Sequence, residues 1–208
     1  MITQAIRQEA DGAAVWLDEE AGPLAPRNIY GVTKLAAEGL CRVHYLEHGL
    51  SCVILRTSRF FPEDDDTHHE LSGENLKANE FLNRRLTVED AAEAHFAALE
   101  RAPSIGFGIF IVCARTPFDR SDATALARDA ATVVTRYFPD APALYARRDW
   151  RLPERIGRVY DSSAAERRLG FRCATDFGRV LDALRTRAPL PFAHDSSYVS
   201  PNDRAAIG

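Results

Sequence analysis

The 208-residue chain has no long apolar run, no strong charge imbalance and no secretory start. No segment approaches the roughly 18 to 20 apolar residues that crossing a bilayer requires, and the first twelve residues lack the basic and apolar regions of a signal peptide. The 26 basic and 30 acidic side chains leave a formal charge of −4, which offers no general attraction for nucleic acid. We therefore expect a cytoplasmic protein that binds neither membranes nor nucleic acids.

Metal-binding patterns are also scarce. The cysteines are far apart and form no C-x-x-C pair, which excludes a zinc ribbon and argues against a disulfide scaffold. His44, Glu47 and His48 match H-x-x-E-H, a pattern in which two histidines hold zinc and the glutamate acts as a base. They precede Gly49 in the last turn of a predicted helix, and no companion motif supplies a third ligand. A zinc hydrolase is thus a remote alternative. The acidic segment 64–70 is predicted to be an exposed loop, and we expect no metal to bind to this protein.

The periodicity predicts an α/β protein with parallel strands. Residues 28–49 form an amphipathic helix pattern with Asn28 as N-cap and Gly49 as the terminating residue. Residues 51–55 and 108–113 are short apolar runs typical of buried parallel strands. Further helices are predicted at 76–83, 87–102, 121–138 and 175–187, and residues 188–208 form a loosely ordered tail.

Two helices carry patterns that predict their packing. The first helix has an apolar stripe that contains Val32, Leu35, Leu40, Val43 and Leu46. The helix at 87–102 begins with a capping-box pattern in which the side chains of Thr87 and Asp90 satisfy the first amides. Its predicted common face comprises Val88, Ala91, His95 and Leu99.

Tyr30 and Lys34 are the clearest candidates for chemistry. Their spacing of four places the phenol and the ammonium on one face of the first helix, one turn apart. A free tyrosine has a pKa of about 10, and a neighbouring cation stabilises its phenolate form. Such a pair can move a proton to or from an alcohol or a carbonyl. The chain has only two lysines, so about 0.06 such Tyr-x-x-x-Lys matches are expected by chance. An ordinary exposed helix surface remains the alternative.

The surroundings of this pair resemble the NAD-dependent epimerase/dehydratase family of the extended short-chain dehydrogenase/reductase superfamily. The resemblance extends over about residues 3–184, and the matching segments follow in the family's order. They are Trp16–Glu19, Pro26–Glu38, Ile54–Arg56, Phe60–Pro62, Leu86–Ala92, Asp161 and Leu169–Phe171. The resemblance implies the C-terminal part of a Rossmann-like, doubly wound parallel sheet plus a small mixed substrate lobe. The domain would comprise residues 1–187, with the catalytic helix at 28–48 and the lobe at 62–85 and 115–187.

The family's glycine-rich turn, which holds the cofactor pyrophosphate at a helix N-terminus, has no counterpart among the twelve glycines. The resemblance implies NAD or NADP as cofactor, and without this turn we expect weak or no binding by this chain alone. A non-enzymatic remnant or binding module is therefore the alternative to an oxidoreductase that acts on a sugar-like or other secondary alcohol.

The resemblance also implies roles for individual residues. Tyr30 would be the acid/base, Lys34 would hold the nicotinamide ribose, and Thr3 would orient the substrate. Thr57 and Ser58 would face the nicotinamide. The implied substrate-binding residues are Arg59, Arg151 and Arg158. Arg59 replaces the family's usual asparagine, which argues against a nucleotide sugar, although an arginine can bind a carboxylate or phosphate. The expected partners are a small-molecule substrate and a second copy of the chain, which would form a homodimer through the Tyr30/Lys34 helix.

Overall fold

The computed structural model describes residues 12–63 and 71–197, and Thr3 and the acidic segment 64–70 lie outside these ranges. The described chain is an α/β structure with parallel strands, as predicted. Its strands are β1 (Val15–Leu17), β2 (Cys52–Thr57), β3 (Phe107–Val112) and β4 (Arg158–Tyr160). Its helices are α1 (Ile29–His48), α2 (Gly73–Glu80), α3 (Val88–Ile105), α4 (Ala123–Arg128), α5 (Ala130–Tyr137), α6 (Ala141–Ala146), α7 (Ser163–Leu169) and α8 (Phe177–Thr186). None of these described helices combines the length and apolar character that a membrane span requires.

The β2–β3 pair is the part of the structure that resembles a Rossmann sheet. The two strands are parallel and run in register from Cys52 opposite Phe107 to Thr57 opposite Val112. Side chains of a strand alternate between its two faces. Val53 and Leu55 pack in the core with α3, whereas Arg56 binds Glu38 of α1, so α1 and α3 cover opposite sides of this pair. On the α3 side, a core that includes Phe110, Val112 and residues of α3 and α7 excludes water.

Helix α1 begins and ends as the sequence predicts. The Asn28 side chain accepts a hydrogen bond from the Gly31 N–H at 2.8 Å, and Gly49 ends the helix with a φ of 66°. The helix packs on β2 through a half-buried face of Glu38, Cys41 and Tyr45, and none of its residues is fully buried. The predicted apolar stripe therefore points away from the sheet.

The part of the chain predicted to form the substrate lobe, called the lobe below, has its own sheet and core. Strands β1 and β4 pair in parallel, with Val15 opposite Arg158 and Leu17 opposite Tyr160. Beside them, α2, α5, α6 and α8 contribute buried side chains to a second and larger core. This core makes the lobe a packed unit of helices around a small sheet.

The capping and the buried face of α3 differ from the prediction. Thr87 Oγ1 accepts the Asp90 N–H at 3.0 Å, as expected, but the Asp90 carboxylate accepts the N–H groups of Ala174 and Thr175 at 2.7 and 3.2 Å. The expected common face is also wrong, because Val88 and Leu99 are exposed. The buried face consists of Asp90, Ala91, Ala94 and Ala98. Small side chains let the helix approach the sheet closely.

One helix differs from the prediction. The helix expected at 121–138 is interrupted, because Asp129 leaves the helical conformation and its side chain caps α5 by accepting the Thr132 N–H at 3.1 Å.

Some residues of the predicted tail make defined contacts with the rest of the chain. Leu190 and Phe192 contact the larger core, and the Asp195 N–H donates to the Pro62 carbonyl at 2.8 Å. The apolar contacts of Leu190 and Phe192 explain why the chain remains packed past α8.

Candidate functional site

Tyr30 and Lys34 lie together in the first two turns of α1. The Lys34 Nζ is 5.5 Å from the centroid of the Tyr30 ring, and both side chains are exposed, Tyr30 at 69%. Gly31 allows the preceding segment to pass close to the helix, since a Cβ there would lie 2.9 Å from Pro26 Cβ. The pair thus presents a phenol and a cation to the same region of solvent.

Thr57 and Ser58 lie at the carboxyl end of β2, where parallel sheets usually bind ligands. Thr57 is the last residue of the strand. Ser58 continues the pairing, since its N–H and its Oγ both donate to the Val112 carbonyl, at 2.9 and 3.2 Å. The Ser58 hydroxyl proton therefore already takes part in a hydrogen bond within the protein.

Immediately after Ser58 the chain enters a cluster of charges around Glu80 that the sequence pattern does not predict. Glu80, at the end of α2, is buried, and its Oε1 lies 3.2 Å from Arg59 and 2.9 Å from Arg84. Its Oε2 lies 2.8 Å from Arg85, whose other terminal nitrogen donates to the Phe61 carbonyl. One carboxylate therefore serves three guanidinium groups. The spacing of Glu80 and Arg84 was the available sequence signal, but such i, i+4 pairs are common on exposed helices.

Arg158 and Arg151 occupy different surroundings. Arg158 is half-buried at the start of β4, and its carbonyl accepts from Asn83 Nδ2 at 2.8 Å, which holds it beside Arg84. Arg151 has an exposed side chain, and its backbone is held to α2 by the amides of Asn75 and Asn79. The structure therefore places Arg158 beside the segment that carries Arg84. The backbone of Arg151 is instead held against α2.

A cavity of about 710 Å³ lies elsewhere in the lobe, with Trp16, Tyr137 and Phe177 among its walls. Arg120 lies at this cavity and pairs with Asp18 and Asp161 at 3.1 and 3.2 Å. The cavity contains neither the Tyr30–Lys34 pair nor the charges around Glu80. It is a separate feature of the lobe.

The H-x-x-E-H residues are exposed on α1. The rings of His44 and His48 are 5.6 Å apart, and His48 Nε2 lies 3.8 Å from a Glu47 carboxylate oxygen. Within residues 12–63 and 71–197, no three His, Cys, Asp or Glu side chains are grouped to hold a metal ion.

Comparison with known proteins relates the chain to one family. A model described as the NAD dependent epimerase/dehydratase family matches residues 10–113. No curated protein gives a significant match. Among solved structures, the UDP-N-acetylglucosamine 4-epimerase from Bacillus cereus is similar at 19% identity and a TM-score of 0.49, with 82% of this chain and 56% of that chain covered.

Two further solved structures are similar to this chain at comparable identity and also match it over only part of their own length. RMD from Pseudomonas aeruginosa, complexed with NADPH, has 18% identity and a TM-score of 0.46 over 82% of this chain and 58% of its own. A short-chain dehydrogenase/reductase superfamily protein from Agrobacterium tumefaciens with bound NAD has 18% identity and a TM-score of 0.49 over 89% of this chain and 65% of its own. The chain thus spans between about half and two thirds of these proteins.

Proposed function

This chain belongs to the NAD dependent epimerase/dehydratase family, and from that premise we propose that it carries the catalytic helix and substrate lobe of an NAD(P)-dependent oxidoreductase. Its substrate is a small molecule with a sugar-like or other secondary alcohol. The observation that carries the proposal is the exposed Tyr30–Lys34 pair, in which the lysine ammonium lies 5.5 Å from the tyrosine ring. The cytoplasmic location expected from the sequence is part of the same proposal.

Each residue of the pair has a distinct role. Lys34 stabilises the phenolate form of Tyr30, and this phenolate accepts the proton of the substrate hydroxyl and becomes a neutral phenol. The nicotinamide, when bound, supplies the redox chemistry that interconverts the alcohol and a carbonyl. Lys34 would also hold the nicotinamide ribose of the bound cofactor. Thr3 is proposed to hold the reacting oxygen, and Thr57 and Ser58 to border the nicotinamide.

The donor groups of this chain fit one end of the cofactor. The exposed ammonium of Lys34 and hydroxyl of Tyr30 suit a ribose and its attached ring. The pyrophosphate requires several backbone N–H groups at a glycine-rich turn, and the sequence contains no such turn. We therefore expect the isolated chain to bind NAD or NADP weakly or not at all.

Tyr30→Phe tests the proposal in a hybrid protein that joins this chain to the dinucleotide-binding half of a relative. Removal of the hydroxyl should lower kcat about 10²- to 10⁴-fold, measured as NAD(P) reduction across a panel of secondary alcohols. The ring is retained and exposed, so the variant should fold normally. His48→Ala on the same helix is the control and should leave kcat unchanged. A Tyr30→Phe rate within about twofold of the parent, with activity lost in His48→Ala, would contradict the proposal.

A further inference from the structure

Two of the four cysteines meet at the contact between α1 and β2. Cys41 lies on the half-buried face of α1, and Cys52 is the first residue of β2. Val53 and Leu55 pack in the core on the α3 side of the sheet. Since side chains alternate along a strand, Cys52 faces α1 together with Arg56. Both thiols therefore point into the same contact between helix and strand.

Contacts in the turns on either side of Cys41 hold this part of α1 over the sheet. One turn before it, Glu38 accepts two hydrogen bonds from Arg56, at 2.9 and 2.7 Å. One turn after it, the Tyr45 ring stacks on Phe107 with 6.0 Å between the ring centroids. Phe107 lies opposite the first residue of β2 in the strand pair. Cys41 is thus fixed between two contacts of α1 with the sheet.

The side chains of Cys41 and Cys52 contact each other. Burial raises the pKa of the Cys52 thiol, and Cys41 raises it further through its charge and a side-chain hydrogen bond. Both residues are only half-buried, which gives a small oxidant access to them. Cys113 is buried, and burial raises its pKa to about 12, while burial also raises the pKa of Cys173. A thiol reacts as its thiolate, so Cys113 and Cys173 should be inert at neutral pH.

We propose that Cys41 and Cys52 are a redox site that forms a reversible disulfide on exposure to a peroxide. The thiolate of one cysteine attacks an oxygen of hydrogen peroxide, the O–O bond breaks and hydroxide leaves, which produces a sulfenic acid. The second thiol attacks this sulfur, the S–O bond breaks and water leaves. In sum, two thiols and one peroxide give one disulfide and two waters, so that sulfur is oxidised and oxygen is reduced.

The surroundings of the pair permit the small movement that the bond requires. A disulfide brings two sulfurs closer together than a contact between free thiols does. No residue of α1 is fully buried, so the helix can approach β2 without disrupting a core. The disulfide then fastens α1, which carries Tyr30 and Lys34, to the sheet. This site goes beyond the proposed function and does not depend on it.

Peptide mapping of the folded 208-residue chain tests the site. The chain is reduced, freed of reductant, treated with hydrogen peroxide, blocked with iodoacetamide and digested with trypsin without further reduction. Trypsin cleaves after Arg42, between the two cysteines, so the disulfide joins peptides 35–42 and 43–56. Mass spectrometry should detect this linked pair, and the intact protein should have the mass of one chain less two hydrogens. Dithiothreitol should restore both thiols.

Two controls show whether the fold selects this pair. Cys173→Ser should form the same linked peptides, whereas in Cys41→Ser the Cys52 thiol should have no partner and should form no disulfide. Peroxide treatment in urea should make all four cysteines react, because burial no longer protects two of them. The same selectivity in urea as in the folded chain would overturn selection by the fold.

The remaining outcomes are equally decisive. Four free thiols after peroxide treatment, a linkage that includes Cys113 or Cys173, or a bond between two chains overturns the proposal. Oxidation of Cys41 or Cys52 to a sulfinic acid without a linkage also overturns it. The assay measures no turnover, so Tyr30→Phe should give the same linked peptides whether or not the proposed function holds.

Discussion

A tyrosine hydroxyl is a weak base at neutral pH, so its usefulness depends on the charge beside it. In this protein one of only two lysines lies one helical turn from Tyr30, and both side chains are exposed on the same helix. The second lysine, Lys77, is buried in the lobe near His194. At the residue scale, the proposed chemistry therefore depends on a single ammonium group.

Lys34→Met removes that ammonium while it keeps an unbranched side chain. In the hybrid protein we expect kcat to fall and the KM for NAD(P) to rise, each at least about tenfold, because the same charge stabilises phenolate and binds ribose. Steady-state kinetics with varied cofactor measure both constants. Lys34→Arg is the control and should retain cofactor affinity better than Lys34→Met. Constants for Lys34→Met within about twofold of the parent would contradict the assigned role.

At the scale of elements, α3 connects the sheet to the C-terminal part of the chain. Its buried face is made of small residues, which lets the helix lie close against β2 and β3. Its first turn contributes Asp90, which is 4% exposed and accepts two backbone N–H groups from Ala174 and Thr175. One side chain thus anchors the segment that leads into α8.

Asp90→Ala should destabilise the protein by about 2 to 4 kcal/mol, because two backbone N–H groups lose a charged acceptor at a buried position. Urea denaturation followed by circular dichroism measures this change. Glu89→Ala, at the neighbouring exposed position of the same helical turn, is the matched control and should change stability by less than about 0.5 kcal/mol. Equal effects of the two substitutions would show that the Asp90 contacts contribute little.

At the scale of the whole molecule, α1 has its apolar stripe in solvent. Val32, Leu40, Val43 and Leu46 are 45% to 68% exposed, and Leu35 is 37% exposed. The helix contacts β2 instead through Glu38, Cys41 and Tyr45, and Arg56 binds Glu38 through two hydrogen bonds of 2.9 and 2.7 Å. An exposed stripe of apolar side chains along one helix is characteristic of an interface between proteins.

We therefore expect the chain to form a homodimer through α1. Light scattering should give twice the mass of one chain, and Leu40→Glu should shift the protein to monomer by placing a charge in the buried interface. Phe96→Glu is the control, because Phe96 is comparably exposed, at 61%, on α3 instead of α1. A monodisperse monomer from the parent chain would contradict this expectation.

The sequence by itself determined the features whose signals lie within a few residues of one another. The ends of α1 at Asn28 and Gly49, the Thr87 cap and the two parallel strands all depend on local side chain–backbone bonds or on short apolar runs. The spacing of Tyr30 and Lys34 likewise follows from helix geometry alone. Local backbone geometry is sufficient for these features because no distant residue has to supply a partner.

Only the tertiary structure decided which partner each polar group takes. The Asp90 carboxylate could have capped its own helix, but it binds amides 84 and 85 residues further along the chain. Backbone and Asn83 hydrogen bonds bring the segments of Arg59, Arg84 and Arg158 together, although these segments are distant in sequence. The face of α1 that meets the sheet was similarly set by contacts with β2. These pairings depend on which segments the packed cores bring together. A local sequence pattern does not encode contacts between segments that are distant in sequence.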